Sequence, residues 1–261
     1  MKRAEKAIIK KDIRGITSNR RLFSALWIVP LALTVILPSI FVCAAHFAPD
    51  DPDVLALLEL LPGAANTESV ELAIAGIIFN YILPAFFLMI PIMTASVMAA
   101  SAFVGEKEKH TLETLLYCPL SVKEIFRAKV LASFLLSMLV SLVSFAAMLT
   151  VLELESVFLM GSPLLPGGGW VIVLFLLSPA VSLIAVTLIV RNSARAQSVE
   201  ESQQSAVFLI IPVILLVVGQ FAGVMILNVW ILLGLSIVCA LLAWILLQRA
   251  VKRFTYEMLL K

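Results

Sequence analysis

Long apolar runs alternate along the chain with short polar segments. Six of these runs are long enough to cross a bilayer, whose hydrocarbon core of about 30 Å takes about 20 helical residues. Their bounds are Leu22–His46, Ala75–Val104, Val130–Leu152, Trp170–Val190, Ala206–Leu227 and Val229–Leu247. Lipid offers no water to backbone groups, and the runs lack the alternation of a β-barrel, so each run is predicted to be a helix. The pattern predicts an all-α fold: a polytopic membrane protein with six transmembrane helices.

An amphipathic pattern precedes the first run. In residues 1–21, Ile9, Ile13 and Ile16 recur at helical spacing with Ile8 alongside, and Lys and Arg fill many of the other positions. A helix of this kind is suited to the inner membrane interface, where Lys stems can extend along the apolar surface. We therefore predict an interfacial amphipathic helix at 1–21, with a disordered basic tail as the alternative.

Composition agrees with a membrane protein. The apolar fraction is 62% and the mean hydropathy is +1.08, whereas soluble domains are about 45–50% apolar. The first run follows a mostly polar segment and exceeds the roughly 7–15 apolar residues of a secretory signal. It is therefore interpreted as a span and not as a cleaved signal peptide.

The distribution of charge gives the expected orientation. All 19 Lys and Arg residues lie before the first run, between runs two and three, between runs four and five, or after run six. The opposite side carries acidic residues such as Asp50 and Glu155 and no Lys or Arg. By the positive-inside rule, both termini are predicted to be cytoplasmic, in a multi-pass protein of the cytoplasmic membrane. The net charge of +2 gives no reason to expect a nucleic-acid partner.

Several kinds of chemistry have no residues to support them. No Asp, Glu, Lys, Arg or His lies deep within a predicted span, which weighs against a proton-coupled carrier, a cation channel or an intramembrane protease. No metal-ligand spacing appears among the Cys and His residues, and the phosphate-binding pattern G-x-x-x-x-G-K-[ST] is missing. We therefore predict no catalytic, metal or cofactor site in this chain and no enzyme activity of its own.

Neutral polar residues near membrane depth are candidates for a translocation path. They are Asn80 in the second run, Ser178 in the fourth and Gln220 in the fifth. A polar side chain at this depth is expected to face other helices or a cavity rather than lipid.

Small residues and prolines predict how the runs pack. Four serines of the third run share one helix face, where small side chains permit close helix packing. They are Ser133, Ser137, Ser141 and Ser144. Prolines in the second and fourth runs predict kinks in those helices. They are Pro84, Pro91 and Pro179.

The polar segment "GEKEKHTLETLLYCPLS", residues 105–121, interrupts two apolar runs. Thr111 is predicted to cap a short helix that Pro119 ends, and Ser121 and Glu124 form an S-x-x-E capping box that starts the next helix. The short helix has a Leu-rich face and a polar face that includes Glu113, which suits a groove on a soluble partner. A solvated loop is the alternative.

The stretch "GEKEKHTLETLLYCPLSVKEIFRAKVLASFL" resembles the signature of type-2 ABC exporter permeases of the sodium- and drug-efflux type, which is similar to E-x-E-x-x-T-x-E-x-L-L-x-x-P-x-S-x-x-E-I-x-x-x-K. The matching positions are Glu106, Glu108, Thr111, Glu113, Leu115, Leu116, Pro119, Ser121, Glu124, Ile125 and Lys129. The basic "KKDIRGITSNRR", the six spans and the "SARAQSVEESQQ" loop are similar too, so the resemblance covers nearly the whole chain. The large outer domain of some sodium-efflux members has no counterpart here.

The resemblance implies that residues 105–121 form a coupling segment, with a coupling helix that docks on a separate nucleotide-binding subunit. The implied coupling residues are Glu106, Glu108, Thr111, Leu112, Glu113, Leu116, Pro119 and Ser121. A second contact is implied at Arg191–Gln204. ATP and Mg would be held by the ATPase subunit, so this chain would carry no cofactor. The other implied partners are the lipid bilayer and a second permease, either another copy or a related chain.

The predicted function is that of a membrane-spanning permease subunit of an ABC exporter. Residues 1–261 would form a single transmembrane domain that couples ATP hydrolysis on a separate subunit to export of a substrate. Two alternatives stay open: a stand-alone secondary carrier or channel, and a non-transporting membrane scaffold that recruits an ATPase. Apolar spans favour an amphipathic or lipophilic cargo, but the sequence does not choose among a drug, a peptide, a lipid and an ion.

Overall fold

A computed structural model of the protein describes residues 3–47, 70–108, 120–193, 196, 198–204, 206–221 and 228–253. Within these ranges the chain is helical and contains no strand. Six of the helical stretches are long and apolar enough to cross a membrane. The predicted all-α fold with six transmembrane helices is therefore confirmed.

The helices follow the order of the predicted runs. Helix α1 is Arg3–Ser18, and α2, which forms span 1, is Arg20–Phe47. Span 2 joins α3 (Val70–Ile77), a π-helical turn (Ile78–Ile82), α4 (Leu83–Phe87) and α5 (Met89–Glu108). Span 3 is α6 (Val122–Met160). Span 4 joins α7 (Gly168–Ile172), a second π-helical turn (Val173–Leu177) and α8 (Ser178–Ser193). Span 5 joins α9 (Val199–Gln204) and α10 (Val207–Phe221), and span 6 is α11 (Val229–Arg253).

Span 3 extends well beyond the predicted apolar run at both ends. Its 39 residues correspond to about 59 Å at 1.5 Å per residue, whereas the hydrocarbon core is about 30 Å thick. The predicted capping box starts it: the Ser121 hydroxyl accepts from the Glu124 N–H at 3.3 Å, and the Glu124 carboxylate accepts from the Ser121 N–H at 2.9 Å. Gly161, with a φ of 71°, ends it in the left-handed conformation typical of a helix C-terminus. Apolar composition alone could not show these polar ends of the helix.

The prolines of spans 2 and 4, where kinks were predicted, coincide with irregular helix. The first π-helical turn, Ile78–Ile82, lies just before Pro84, and the second, Val173–Leu177, lies just before Pro179. Span 2 is also interrupted at Leu88, close to Pro91. Proline lacks an N–H and its ring crowds the carbonyl four residues earlier, so a wider turn relieves both problems.

The four serines of span 3 form a packing face, as predicted. Ser133, Ser137, Ser141 and Ser144 are all buried. The Ser137 hydroxyl donates to the Pro91 carbonyl of span 2 at 3.1 Å. Small side chains therefore bring spans 2 and 3 into close contact.

Spans 2 and 4 form the centre of the molecule, and spans 1, 5 and 6 are more peripheral. Ile90, Ile92 and Val186 of the central spans are completely buried. The peripheral spans expose large apolar side chains, including Ile40 of span 1 and Phe208 of span 5. Broad apolar faces of this kind suit contact with lipid.

Helix α1 forms, but protein covers much of its apolar face. Ile8 and Ile9 belong to a small core with Ile125 and other residues at the start of span 3. Ile16 belongs to a second core with Leu26 of span 1, and both are almost completely buried. The alternative of a disordered basic tail is wrong for Arg3–Ser18, and the face that was expected to meet lipid packs instead on the spans.

Candidate functional site

Four charged side chains from three helices meet at the end of span 2 that adjoins residues 109–119. We call Lys11, Asp12, Glu106 and Lys129 the charge cluster. Lys129 Nζ lies 2.9 Å from Glu106 Oε2 and 3.6 Å from Asp12 Oδ2. Lys11 forms an ion pair with the other Glu106 oxygen. Two acids and two bases therefore face one another, and the cluster is neutral overall.

Lys129 is the centre of the charge cluster. Its side chain is only 4% exposed, although Lys is rarely buried unless it is paired. Its ammonium donates a hydrogen bond of 2.6 Å to the Ala102 carbonyl and lies 5.6 Å from the centroid of the Phe103 ring. An ion pair, a charge-assisted hydrogen bond and a cation–π contact together offset the cost of desolvating this ammonium.

Asp12 is buried on the face of α1 that packs against the spans. Burial raises the pKa of the Asp12 carboxyl above its ordinary value. Lys129 and Lys11 lower this pKa, and Glu106 raises it further. The net upward direction shows that desolvation outweighs the two neighbouring ammonium groups.

The structure describes three of the eight predicted coupling residues. Glu108 is exposed at the last residue of span 2, and Ser121 is exposed at the cap of span 3. Glu106 is 6% exposed and faces inward to the charge cluster. The remaining five lie outside the described residues: Thr111, Leu112, Glu113, Leu116 and Pro119.

The described part of the second predicted contact segment lies beside the end of span 2. Of residues 191–204, the structure describes 191–193, 196 and 198–204. Within them Ala196, Val199 and Ser202 are buried. A Cβ added to Gly105 would lie 3.6 Å from Val199 Cγ2, which is ordinary van der Waals contact. Gly105, near the end of span 2, and Val199 therefore pack together, next to the start of segment 109–119.

Two of the three predicted path residues meet at the first π-helical turn. The Asn80 amide oxygen accepts from the Gly167 N–H at 2.6 Å, and Gln220 Nε2 donates to the Tyr81 carbonyl at 2.6 Å. A Cβ on Gly167 would come within 2.9 Å of the Asn80 oxygen, so this position favours glycine. Ser178 is apart from them, directly after the second π-helical turn, and its buried hydroxyl has no hydrogen-bond partner among the described residues.

Trp170 completes the first π-helical turn. The Leu83 N–H donates to Ile78 O, five residues back, so the Phe79 carbonyl would need the N–H of residue 84, which is proline. Trp170 Nε1 supplies that hydrogen bond at 3.1 Å. The second turn has the same construction, since the Ser178 N–H donates to Val173 O and Pro179 follows.

The Trp170 side chain also organises an aromatic cluster. Its ring lies 5.0–5.6 Å, between centroids, from the rings of Phe79, Phe87 and Phe145. These rings come from spans 2 and 3, and Trp170 is 1% exposed. In the sequence, Trp170 is recognisable only as the start of an apolar run, and no local pattern marks it as a contact between three spans.

The described residues do not form a metal centre. Among them, no group of three or more His, Cys, Asp or Glu side chains is placed to hold a metal ion. Their polar groups are arranged for contacts between helices, at the charge cluster and at the first π-helical turn.

Comparison with known proteins gives one match. A family model described as "ABC-2 family transporter protein" matches residues 66–247. This range includes the segment 105–121, spans 2 to 5 and most of span 6, whereas α1 and span 1 lie before it. No curated protein and no solved structure matches the chain.

Proposed function

Because the chain belongs to the ABC-2 family of transporter proteins, we propose that it is the permease subunit of an ABC exporter, working with a separate ATPase subunit. The observation that carries this proposal concerns the end of span 2, where the first expected contact segment begins. Residues 105–121 leave the end of span 2, and Val199–Gln204 packs beside that same end. An ATPase that docked there would contact both segments at once.

The helices on either side of segment 109–119 suit the transmission of movement. Span 2 continues as helix to Glu108, and span 3 begins at Val122 behind a complete capping box. Long helices with fixed ends move as rigid bodies, so a displacement of the docked segment is delivered to both spans. This chain would supply the movement of the spans, and the ATPase would hold ATP and Mg and supply the energy.

We further propose that Asn80, Ser178 and Gln220 line the translocation path. All three are polar groups in spans 2, 4 and 5. Asn80 lies in the first π-helical turn, Gln220 donates to that turn, and Ser178 follows the second turn. The first π-helical turn places backbone carbonyls where side chains of spans 4 and 5 reach them. A second permease, identical or related, would complete the path.

A non-transporting membrane scaffold that recruits an ATPase is the second candidate function. It would use the same docking surface, so docking alone does not distinguish the two. Transport of a fluorescent lipophilic dye by vesicles that contain the purified complex, driven by added ATP, would support the exporter. ATP hydrolysis without movement of any tested dye, peptide or lipid would favour the scaffold.

A double substitution in the coupling segment tests the docking surface. Replacing Leu116 with Asp removes apolar burial of the order of 1.5–3 kcal/mol and adds a charge, and replacing Glu113 with Lys reverses another charge. We expect the doubly substituted chain to insert normally but to lose co-purification with its ATPase. The chain is co-expressed with each ATPase that is encoded by a neighbouring gene and carries a phosphate-binding loop. The amount of ATPase that co-purifies with it is measured.

The matched control is Lys252→Glu, an exposed charge reversal near the end of span 6. It should leave co-purification unchanged. If the double variant binds the ATPase as well as wild type does, segment 105–121 is not the docking site and the proposal fails.

The orientation is a separate prediction. With both termini in the cytoplasm, as the positions of the basic residues predict, a cysteine at the exposed Leu165 should react with a membrane-impermeant maleimide added to intact cells. A cysteine at the exposed Glu200 should not react. Both are introduced after replacement of Cys43, Cys118 and Cys239. Labelling of Glu200→Cys from outside would contradict the proposed orientation.

A further inference from the structure

We propose that the charge cluster is a positioning site that holds α1 and both flanks of segment 109–119 as one mechanical unit. The inference rests on the proposed function, since it concerns how the docked segment moves the spans. In this reading a displacement of the segment reaches spans 1, 2 and 3 together. Glu106 then acts within the permease by holding the segment in place, rather than by contacting the ATPase.

The first step is that an ion pair joins the two flanks of segment 109–119. Glu106 lies shortly before the segment and Lys129 shortly after it, and their charged atoms are 2.9 Å apart. The Lys129 hydrogen bond to Ala102 O adds a second link to span 2. The chain between them therefore starts and ends at one ion pair. The end of span 2 and the start of span 3 cannot separate without breaking that ion pair.

The second step is the attachment of α1. Asp12 lies between Ile8 and Ile16 on the buried face of α1 and extends to Lys129, while Lys11 extends to Glu106. Helix α1 leads into span 1 through Asn19, whose side-chain oxygen accepts from the Leu22 N–H at 3.4 Å. A displacement of α1 is therefore passed directly to span 1.

The third step is the chemistry of the contact. Apolar residues in place of a buried ion pair are often as stabilising or more so, which makes stability a poor reason to use charges. In this proposal the charges specify the arrangement of the helices, because an ammonium left without its carboxylates is strongly penalised. A single Lys129 ammonium surrounded by oxygens of Ala102, Glu106 and Asp12 allows one relative placement of three helices.

The experiment measures distances between spin labels in the full chain reconstituted in lipid nanodiscs. One pair, Glu108→Cys with Lys123→Cys, reports the two flanks, and a second, Ala7→Cys with Lys123→Cys, reports α1 against span 3. All three labelled positions are exposed: Ala7 on α1, Glu108 at the end of span 2 and Lys123 near the start of span 3. We expect a single narrow distance for each pair, and loss of that narrow distance in the Glu106→Gln, Lys129→Met double variant.

Two controls separate positioning from a general loss of structure. Lys129→Arg keeps the charge and should keep both narrow distances. Glu71→Gln neutralises the carboxylate that lies 2.8 Å from His46 Nδ1 and links spans 1 and 2. This contact is distant from the cluster, so the change should also leave both distances unchanged. Unchanged distances in the double variant would overturn the proposal.

If the double variant fails to insert, Asp12→Asn provides a second test of the proposal. It should broaden the distance from α1 to span 3 while the flank-to-flank distance stays narrow, and no change in the first distance would overturn the attachment of α1. Co-purification with the ATPase gives an independent result. Its absence in wild type would refute the proposed function and leave the positioning result intact, whereas unchanged distances would refute only the positioning site.

Discussion

Replacing Lys129 with Met is expected to lower the free energy of unfolding by about 3 kcal/mol. Removal of one partner from a buried ion pair costs about 3–5 kcal/mol because the remaining charge is left uncompensated. We take the lower end because Lys11, with a side chain 53% exposed, still reaches Glu106. Unfolding in detergent micelles, followed by circular dichroism, measures the effect.

The double variant Glu106→Gln, Lys129→Met is expected to recover most of this loss. Both charges of the Lys129–Glu106 pair are then removed, and neutral groups of similar size replace them. Lys123→Met, an exposed change in the same helix, should stay within about 0.5 kcal/mol of wild type. An equal loss in Lys123→Met and Lys129→Met would show that the buried charges are not responsible.

Replacing Trp170 with Ala is expected to have an effect at least as large, of about 3–5 kcal/mol. The substitution removes a fully buried ring, its contacts with three Phe rings and the hydrogen bond to the Phe79 carbonyl. Trp170→Phe keeps much of the apolar volume but leaves that carbonyl without a donor, which costs about 1–3 kcal/mol. The same unfolding measurement ranks the two variants.

Trp230→Phe is the matched control, because Trp230 is 79% exposed on the surface of span 6. It should change the free energy of unfolding by less than about 0.5 kcal/mol. If Trp170→Phe behaves like this control, the Phe79 carbonyl does not depend on Trp170. The explanation of the first π-helical turn would then be incorrect.

The six spans were predictable because apolar composition acts over a long window. A run of about 20 apolar residues leaves few alternatives to a membrane helix. The capping box at Ser121 was predictable because its pattern is short and local, with two residues three positions apart. Prolines marked where spans 2 and 4 become irregular, although not that a π-helical turn would form.

Contacts between distant parts of the chain were harder to predict. Asp12 is the one acidic residue at the spacing of Ile8 and Ile16, and this spacing could have indicated that its carboxylate is buried. Its partners Glu106 and Lys129 could not have been identified in the same way, because nothing in α1 specifies which spans it packs against. Trp170 was missed because its partner is a backbone carbonyl, which has no signature in the sequence.

The charge cluster also changes how a family motif is interpreted. Glu106 and Lys129 both belong to the sequence signature that suggested a docking segment, yet the structure turns both side chains toward the interior. Exposed Glu108 and Ser121 remain available to a partner. The motif therefore combines side chains that are exposed at the surface with side chains that are buried between helices.

The π-helical turns have a further consequence for the angular phase of spans 2 and 4. Each residue of an α-helix advances by about 100° around the axis, and a π-helical turn accommodates an extra residue. In each span, the residues after the turn are therefore rotated about the helix axis relative to the residues before it. The two turns end at Ile82 and Leu177, and a continuous helical wheel does not include this rotation. A helical wheel drawn through either span will assign lipid-facing positions to the interior at one of its ends. Alignments with relatives that lack the turn should open a one-residue gap there.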